Sequence, residues 1–256
     1  MKIAVSGKGG VGKSTIASVL ALMSAEQGKN VLALDADPDA NLASCLGIPL
    51  DERRGIMSVS AQVALIEKRT GAKVGKYGQV FKLNPEVSDV AENLAYKHRA
   101  VSLLVLGAVK SGGGGCACPE NTFIRSLVND LVLFKNDSLI MDMEAGIEHL
   151  GRATAQGVDA MLVAVEPGQR SIDCAMSVER MSKEIGIKKI LFIANKITGA
   201  ADCVFVNEAL RDKEILAFLP FTEGLRDADR DGLCPYDRLN AETRDLYASI
   251  LARLES

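Results

Sequence analysis

The 256-residue chain has no strong excess of charge of either sign, and this argues against two classes of partner. It carries 30 lysine and arginine residues against 33 aspartate and glutamate residues, a formal net charge of −3. No overall field therefore attracts nucleic acid or an anionic membrane surface. We expect neither nucleic-acid binding nor membrane binding.

The chain also lacks the marks of a secreted or membrane protein. Its six cysteines do not form the dense, even pattern of a disulfide scaffold, and the first residues show no signal-peptide core. No apolar run approaches the roughly 20 residues that span a bilayer. We therefore expect a cytoplasmic protein with reduced thiols. With no repeat, low-complexity tract or linker, residues 1–256 are expected to form a single domain.

Short apolar runs separated by helical patterns predict an α/β fold, a doubly wound and mainly parallel sheet flanked by helices. Ligands on such sheets bind at the carboxyl ends of strands. The expected strands cover residues 3–5, 31–34, 103–106, 139–141, 161–165, 190–194 and 215–219. Helices are expected at 16–28, 123–131, 171–185, 204–210 and 243–254.

Two segments leave alternatives open. In residues 51–100, which carry no motif, Ile56, Val59, Val63 and Ile66 predict one amphipathic helix. This helical insertion either packs on the core or contacts a partner. The helix at 243–254 is predicted to pack on the core; a membrane-docking role is disfavoured because it has few basic residues.

A glycine-rich loop joins the first strand to the first helix. Strand, glycine loop and helix in this order are the context of a phosphate-binding loop, in which backbone N–H groups and the positive end of the helix face one concavity. Lys13 can then reach the β- and γ-phosphates, and Ser14 can offer its hydroxyl to Mg²⁺. The loop is Gly7-Lys8-Gly9-Gly10-Val11-Gly12-Lys13-Ser14-Thr15. It predicts a nucleoside triphosphate site.

Lys8 is a second lysine inside this loop. The pattern resembles the deviant Walker A motif of the MinD/ParA/nitrogenase iron-protein group of P-loop ATPases. The resemblance implies that Lys8 crosses a homodimer interface and touches the partner's nucleotide. An added cation there would stabilise the charge that phosphoryl transfer builds. The alternative is a solvated loop lysine.

Two acidic segments follow buried strands. Asp37, in Asp35-Ala36-Asp37-Pro38, resembles the switch I aspartate of the same ATPase group, which implies that it orients or activates the attacking water. Alternatively, Asp37 caps a helix that starts at Pro38. Asn41 resembles a residue that contacts the Mg²⁺ shell. Asp142 ends an apolar run in the Walker B arrangement and is expected near Mg²⁺, through a water.

The residues after these strands suggest a switch and a base-binding site. Residues 143–146 resemble switch II, and His149, just beyond, is read as a structural residue unless it acts in the switch. Asn195-Lys196-Ile197-Thr198 is similar to the guanine-binding Asn-Lys-x-Asp motif, but Thr198 replaces the aspartate that reads guanine. Asn195 can still pair with an adenine edge. ATP is therefore favoured over GTP.

A Cys-x-Cys pair follows the glycine run at 112–115. Pro119 fits the first turn of a helix, so Cys118 lies near its positive end, which favours thiolate. Two cysteines cannot complete a tetrahedral metal site, but a two-fold dimer brings two copies of Cys116 and Cys118, four sulfurs, to one axis. We expect Ni²⁺ or Zn²⁺ there; a structural or redox pair is the alternative. The other four cysteines (Cys45, Cys174, Cys203 and Cys234) are predicted to be isolated and buried.

Taken together, these motifs resemble the nickel-insertion (CooC-type) ATPases of carbon monoxide dehydrogenase maturation. They are the loop at 7–15, Asp-x-Asp-Pro, Cys-x-Cys-x-Glu-Asn at 116–121 and Met-Asp-Met-x-Ala-Gly-Ile-Glu-His-Leu at 141–150. The resemblance implies slow ATP hydrolysis with Mg²⁺ and a homodimer when ATP is bound. It also implies delivery of Ni²⁺ or Zn²⁺ to a client apo-enzyme. The client is carbon monoxide dehydrogenase or acetyl-CoA synthase.

Three related ATPase classes are weighed against this interpretation. An electron-transferring ATPase like the nitrogenase iron protein needs a cluster-binding cysteine in switch II, and residues 142–152 contain none. A partitioning or membrane-positioning ATPase needs a basic surface or tail, and neither is apparent. An iron–sulfur scaffold ATPase usually carries Cys-x-x-Cys near its C-terminus, and this chain has no such pair.

Overall fold

One eight-stranded sheet runs through the part of the chain described by the computed structural model, which covers residues 1–76, 78–108, 118–133, 138–145 and 157–255. The strand order is β3-β4-β2-β5-β1-β6-β7-β8. Neighbours are parallel except the antiparallel pair β3 and β4. The strands are β1 (Lys2–Gly7), β2 (Val31–Asp35), β3 (Tyr96–His98), β4 (Val101–Val105), β5 (Ser138–Asp142), β6 (Ala160–Val165), β7 (Ile190–Ile197) and β8 (Ile215–Pro220). The predicted mainly parallel sheet is confirmed.

Helices cover both faces of this sheet. The described helices are α1 (Lys13–Glu26), α2 (Leu42–Cys45), α3 (Leu50–Arg53), α4 (Val63–Thr70), α5 (Val90–Leu94), α6 (Pro119–Leu133), α7 (Gln169–Ile185), α8 (Ala200–Ala209), α9 (Glu223–Asp231) and α10 (Ala241–Glu255). Short 3₁₀ turns lie at Val59–Ala61 and Pro235–Arg238. The doubly wound arrangement is what parallel strands joined by helical crossovers require.

Alternate residues of the central strand β1 enter two separate cores. Ile3 and Val5 pack with residues of α1 and α10, whereas Ala4 packs on the opposite face with residues of α6 and α7. Because both faces are covered, the strand is apolar throughout rather than alternating. β1 lies between β5 and β6, so the loop that follows it opens at the middle of the sheet edge. This is where open α/β sheets bind ligands.

The prediction for residues 51–100 was wrong in detail. Instead of the expected single helix there are two elements, a 3₁₀ turn at Val59–Ala61 and then α4. Gln62 separates them, because its backbone (φ −80°, ψ 56°) is not helical. Val59 and Ile66 are fully buried, but Val63 is 43% exposed, so no single apolar stripe exists. This segment also supplies β3, an unpredicted edge strand. A three-residue Tyr-Lys-His strand has no apolar alternation to reveal it.

The C-terminal helix behaves as predicted. Ile250, Leu251 and Leu254 of α10 are buried in the core, and Leu246 packs beside it. Its apolar face is therefore occupied by the protein itself. Among the described helices, none combines the length and apolar character that crossing a bilayer requires.

Candidate nucleotide-binding site

The loop after β1 owes its shape to two glycines that other strands approach closely. Gly7 (φ 149°) is a register partner of Ala164 on β6, and a Cβ there would lie 2.5 Å from the Ala164 carbonyl oxygen. Gly12 (φ 99°) stands at the N-cap of α1, and a Cβ would lie 2.4 Å from Nδ2 of Asn195. Any side chain at either position would clash and strain the backbone. The loop is thus held against β6 and β7, with the N-terminus of α1 beneath it.

A cleft of about 400 Å³ opens over this loop. Polar residues from other strand ends line it beside the loop, and they include the predicted Asp37, Asn41 and Asn195. The loop residues in its wall are Gly9, Gly10, Gly12, Lys13, Ser14 and Thr15. Gly7 and Val11 are instead packed beneath the loop. Most of the predicted nucleotide-binding residues therefore meet in one place.

Lys13 and Asp37 form an ion pair inside the cleft. The Lys13 Nζ lies 3.5 Å from Asp37 Oδ2, and the two side chains are 7% and 13% exposed. Asp37 is not a helix cap, because Pro38 and Asp39 form a turn closed by the Ala40 N–H, which donates to the Asp37 carbonyl (2.9 Å). The alternative interpretation of Asp37 as a cap was therefore wrong.

Asn41, rather than Asp37, is the residue that precedes a helix here. It stands at the N-cap of the short α2, although its side chain makes no capping hydrogen bond. The Asn41 side chain is exposed toward the cleft. It is therefore accessible to the Mg²⁺ shell expected there.

Asp142, at the end of β5, is a fully buried carboxylate with unused hydrogen-bonding capacity. Neither of its oxygens has a hydrogen-bond partner of normal geometry among the described residues. Burial raises its pKa to about 6, which the Ser14 hydroxyl and the Lys13 ammonium offset in part. Buried oxygens without donors suit a hard cation or its bound water. Asp142 and Ser14 thus fit the Mg²⁺ site expected from the sequence.

Asp35 belongs to the same site, although the sequence analysis assigned it no role. It ends β2 in register with Asp142, and burial raises its pKa to about 8, with the Asp142 charge as the second cause. Its Oδ2 accepts from the Leu42 N–H (3.0 Å) and its Oδ1 from the Asp37 N–H (3.3 Å). Asp35 therefore fixes both ends of the loop that carries Asp37. A carboxylate closing a buried apolar strand was the signal that could have revealed it.

Asn195 supports the phosphate loop directly. Its Nδ2 donates to the Val11 carbonyl (2.8 Å), and the side chain is largely buried. The next residue, Lys196, has a left-handed backbone (φ 59°) and its Nζ donates to the Gly10 carbonyl (2.5 Å). One N–H and the oxygen of the Asn195 amide stay available for a base edge.

The far wall of the cleft comes from the segment between β8 and α9. Phe221, Leu225 and Arg226 line it, and the Thr222 hydroxyl caps α9 by accepting from the Leu225 N–H (3.4 Å). None of these residues was predicted from the sequence. The predicted strand at 215–219 was the available signal, because ligands bind beyond carboxyl ends of strands.

Lys8 points along the rim of its own chain. Its Nζ donates to Glu166 Oε1 (2.9 Å), just beyond β6, and the Val11 N–H donates to the Lys8 carbonyl (3.2 Å). The Glu166 pKa is the balance of burial, which raises it, and of Lys8 and Lys196, which lower it; the net shift is downward. Lys8 is thus part of an ion pair within the chain rather than a free cation.

The predicted Ni²⁺ or Zn²⁺ site lies only partly within the described residues. Cys116 and His149 lie outside the described residues. Cys118 is half-buried at the start of α6, where the Asn121 N–H donates to its Sγ (3.5 Å) and the Thr122 N–H to its carbonyl (3.0 Å). No cluster of three or more His, Cys, Asp or Glu side chains suited to a metal occurs among the residues that the structure describes.

The prediction that the other four cysteines are buried was wrong for three of them, and the prediction that they are isolated was wrong for Cys45 and Cys234. Only Cys234 is buried, whereas Cys45, Cys174 and Cys203 are half-buried. Cys45 and Cys234 are neighbours, since the Cys234 thiol donates to the Cys45 carbonyl (3.4 Å). Cys45 also lines the cleft, and burial raises the pKa of its thiol to about 12, so it stays protonated there.

The fold and the loop together define a P-loop nucleotide-binding protein. Residues 2–236 match the CobQ/CobB/MinD/ParA nucleotide binding domain, and the chain belongs to that family. In three dimensions it is similar to the septum site-determining protein MinD of Pyrococcus horikoshii, solved with Mg-ADP (TM-score 0.68, 18% identity, 100% of this chain and 96% of that one). The similarity at this identity concerns the fold alone.

Two relatives are closer in sequence. The carbon monoxide dehydrogenase accessory protein CooC of Rhodospirillum rubrum is 41% identical over 254 residues, 99% of this chain and 96% of that protein. An uncharacterised ATP-binding protein of Methanocaldococcus jannaschii is 39% identical over 226 residues, 87% of this chain and 86% of that protein. The resemblance to CooC-type proteins within the MinD/ParA group, predicted from the motifs, is thereby confirmed.

Proposed function

We propose that this chain is a cytoplasmic, ATP-hydrolysing metallochaperone that dimerises with ATP and inserts nickel into an apo-enzyme, carbon monoxide dehydrogenase. The observation that carries the proposal is a phosphate loop with two lysines in a protein similar to CooC over 99% of its length. Acetyl-CoA synthase is the second client considered.

The hydrolytic step would rest on three of the chain's own side chains. Lys13 would neutralise charge on the β- and γ-phosphates, and Asp37, 3.5 Å from the Lys13 Nζ, would face the terminal phosphate. Asp37 then accepts the proton of the attacking water or orients that water. Ser14 and Asp142 would hold Mg²⁺, which supplies charge stabilisation to the phosphates when bound. Asp35 keeps Asp37 in place through the backbone.

Lys8, the second lysine of the phosphate loop, is the reason for proposing a dimer. Lys8 lies at the rim of the loop with 39% of its side chain exposed, so it can reach a nucleotide on a second copy of the chain. A cation added to the terminal phosphates stabilises the charge that develops during transfer. Because each subunit would complete the other's site, ATP favours the dimer through contacts made only in that state.

Nickel would be the cargo, held by four thiolates at the dimer axis. Cys118 stands at the start of α6, where its Sγ accepts from the Asn121 N–H (3.5 Å). With Cys116 and the same two residues of the partner, four sulfurs suit square-planar Ni²⁺ or tetrahedral Zn²⁺. Such a site exists only in the dimer, so ATP binding and metal binding are coupled reciprocally.

Equilibrium metal binding tests the proposal. Wild type, Cys116→Ala and Cys118→Ala are titrated anaerobically with Ni²⁺ and with Zn²⁺, with and without a non-hydrolysable ATP analogue. We expect one ion per dimer in wild type, tighter with nucleotide, and loss of that binding in both variants. Cys203→Ala is the matched control, since Cys203 is half-buried on α8 against the core. Tight binding of one ion by each separate monomer, retained in both variants, would refute the shared site.

The client is tested with purified enzymes. Nickel-free carbon monoxide dehydrogenase and apo-acetyl-CoA synthase are each incubated with the nickel-loaded chain and ATP. We expect activation of the dehydrogenase that requires ATP hydrolysis. Activation of the synthase alone would reassign the client, and activation equal to that by free Ni²⁺ at the same concentration would refute a chaperone role.

A further inference from the structure

Glu166 holds two lysines at the rim of the phosphate loop. Its Oε1 accepts from Lys8 Nζ (2.9 Å), and its Oε2 lies 3.5 Å from Lys196 Nζ. Lys196 in turn donates to the carbonyl of Gly10 in the loop itself. One carboxylate therefore ties a loop side chain to the ends of β6 and β7.

The groups that present this carboxylate have defined positions. Glu166 directly follows β6, and its N–H donates to the Ser171 hydroxyl in the first turn of α7 (3.0 Å). Lys196 follows Asn195 with a left-handed backbone (φ 59°), a conformation that non-glycine residues adopt rarely. The arrangement is thus built by three elements and is not a chance meeting of two mobile side chains.

This ion pair conflicts with the role of Lys8 in the proposed dimer, on which the inference rests. A lysine ammonium that donates to Glu166 of its own chain is directed to that carboxylate and not to a nucleotide in another subunit. We propose that Glu166 is a positioning residue that holds Lys8 within its own chain and competes with the partner's nucleotide for it. Glu166 thereby sets how readily ATP drives self-association.

The Lys8–Glu166 ion pair, which we call the latch, is weak enough to open reversibly. The Lys8 and Glu166 side chains are 39% and 26% exposed, so solvent screens their attraction. A triphosphate carries several negative charges and would meet Lys8 in a closed interface, where water is excluded and charge pairs are stronger. When Lys8 leaves, Lys196 stays beside Glu166, so that its carboxylate is not left without a cation.

The test is a double-mutant cycle on dimerisation. Sedimentation velocity with a non-hydrolysable ATP analogue gives the dimer dissociation constant of wild type, Glu166→Gln, Lys8→Ala and the double variant. Glutamine keeps the shape but removes the charge. Breaking one exposed ion pair of this kind changes an equilibrium constant by roughly 1.4- to 5-fold, and a symmetric dimer must break two Lys8–Glu166 pairs. We therefore expect Glu166→Gln to lower the dimer dissociation constant by roughly 2- to 25-fold. In the Lys8→Ala background it should change nothing.

Glu179→Gln is the matched control. Glu179 on α7 also bridges two lysines, Lys183 and Lys213, each at 2.7 Å, but the first lies on α7 itself and neither belongs to the phosphate loop. The same loss of charge there should leave the dimer constant unaltered. A second readout uses the monomer without nucleotide: trace acylation followed by peptide mass spectrometry should modify Lys8 severalfold faster in Glu166→Gln.

The possible results distinguish a failure of the latch from a failure of the proposed function. A nucleotide-dependent dimer in wild type that Glu166→Gln leaves unchanged or weakens overturns the latch alone. An equal change in the Lys8→Ala background also overturns it, because the effect would then be structural. If wild type forms no dimer with nucleotide, the proposed dimer fails and the competition fails with it, even if Lys8 is acylated faster in the variant.

Discussion

Asp35 and Asp142 are register partners at the carboxyl ends of two neighbouring parallel strands, and both carboxyl groups are fully buried. The Asp35 carboxylate accepts hydrogen bonds from two backbone N–H groups, whereas Asp142 has no such partner in the described chain. Burial is the main cause of both raised pKa values, and the charge of Asp142 adds to the shift of the Asp35 pKa. A cation bound beside these carboxyls would favour their ionised forms, which burial opposes.

This pair predicts a pH-dependent stability of the nucleotide-free protein. The pKa of Asp35 is about 8 in the folded chain against 3.8 for a free side chain, so the folded state holds the proton that the unfolded state has lost. The stabilisation is complete below about pH 4 and is lost as the pH rises to 8. We expect a lower melting temperature at pH 8 than at pH 6.

Asp35→Asn tests the cause of that dependence. Asparagine cannot ionise, so the decline between pH 6 and pH 8 should become shallower, while the exposed Asp212→Asn should leave it as in wild type. Mg²⁺ should raise the melting temperature more at pH 8, where the carboxylates are ionised. A decline of equal slope in Asp35→Asn would place its origin elsewhere.

Asp37→Asn separates nucleotide binding from hydrolysis. Lys13 and the loop backbone hold the phosphates, whereas Asp37 acts on the attacking water, so ATP should still bind while turnover falls at least ~10²-fold. Single-turnover hydrolysis and equilibrium binding measure the two. Asp39→Asn, two residues away and exposed, is the control. Normal turnover in Asp37→Asn would remove Asp37 from the catalytic step.

Asn195→Ala tests the support of the phosphate loop. The Val11 carbonyl would lose its donor (2.8 Å), a loss of about 1–3 kcal/mol, or roughly 5- to 150-fold in affinity. The support is independent of the base, so we expect weaker binding of both ATP and GTP; any additional loss for ATP measures a contact to adenine. Thr198→Ala, which loses only a contact to Asp202, is the control. Unchanged GTP affinity in Asn195→Ala would contradict the support role.

The turn between β3 and β4 offers a stabilising substitution. Arg99 and Ala100 both have left-handed backbones (φ 48° and 61°), the two-residue hairpin conformation that normally requires glycine or asparagine. Arg99 is fixed by two bonds to Asp237 (2.8 Å each), but Ala100 is simply exposed. Ala100→Gly should therefore raise the free energy of unfolding by about 0.5–1 kcal/mol.

An alanine-to-glycine substitution inside a helix should instead lower the free energy of unfolding. Ala248 is exposed in the interior of α10, and Ala248→Gly should lower the free energy of unfolding by about 1 kcal/mol. Urea denaturation of both variants and of wild type gives the two values. Destabilisation by Ala100→Gly would show that the turn is not strained.

The strands and the phosphate loop could be predicted because their causes are local. A parallel strand covered on both faces must be apolar, and a loop such as 7–15 needs glycines at fixed spacing, so each leaves a continuous pattern. Asp37 and Asp142 could be predicted as candidate site residues for the same reason, since each lies at the end of a buried strand or just beyond it. β3 left no such pattern: its position depends on the turn at Arg99 and Ala100 and on contacts with residues far along the chain.

Only the tertiary structure brought the distant partners together. The sequence separations are 107 residues for Asp35 and Asp142, 158 for Lys8 and Glu166 and 184 for Asn195 and Val11. By itself the sequence determined the fold class, the phosphate loop and the family. The tertiary structure decided which carboxylates share a buried site and which charge holds Lys8. Parallel pairing aligns the ends of strands that are remote in the chain, and burial then changes the chemistry of the side chains that meet there.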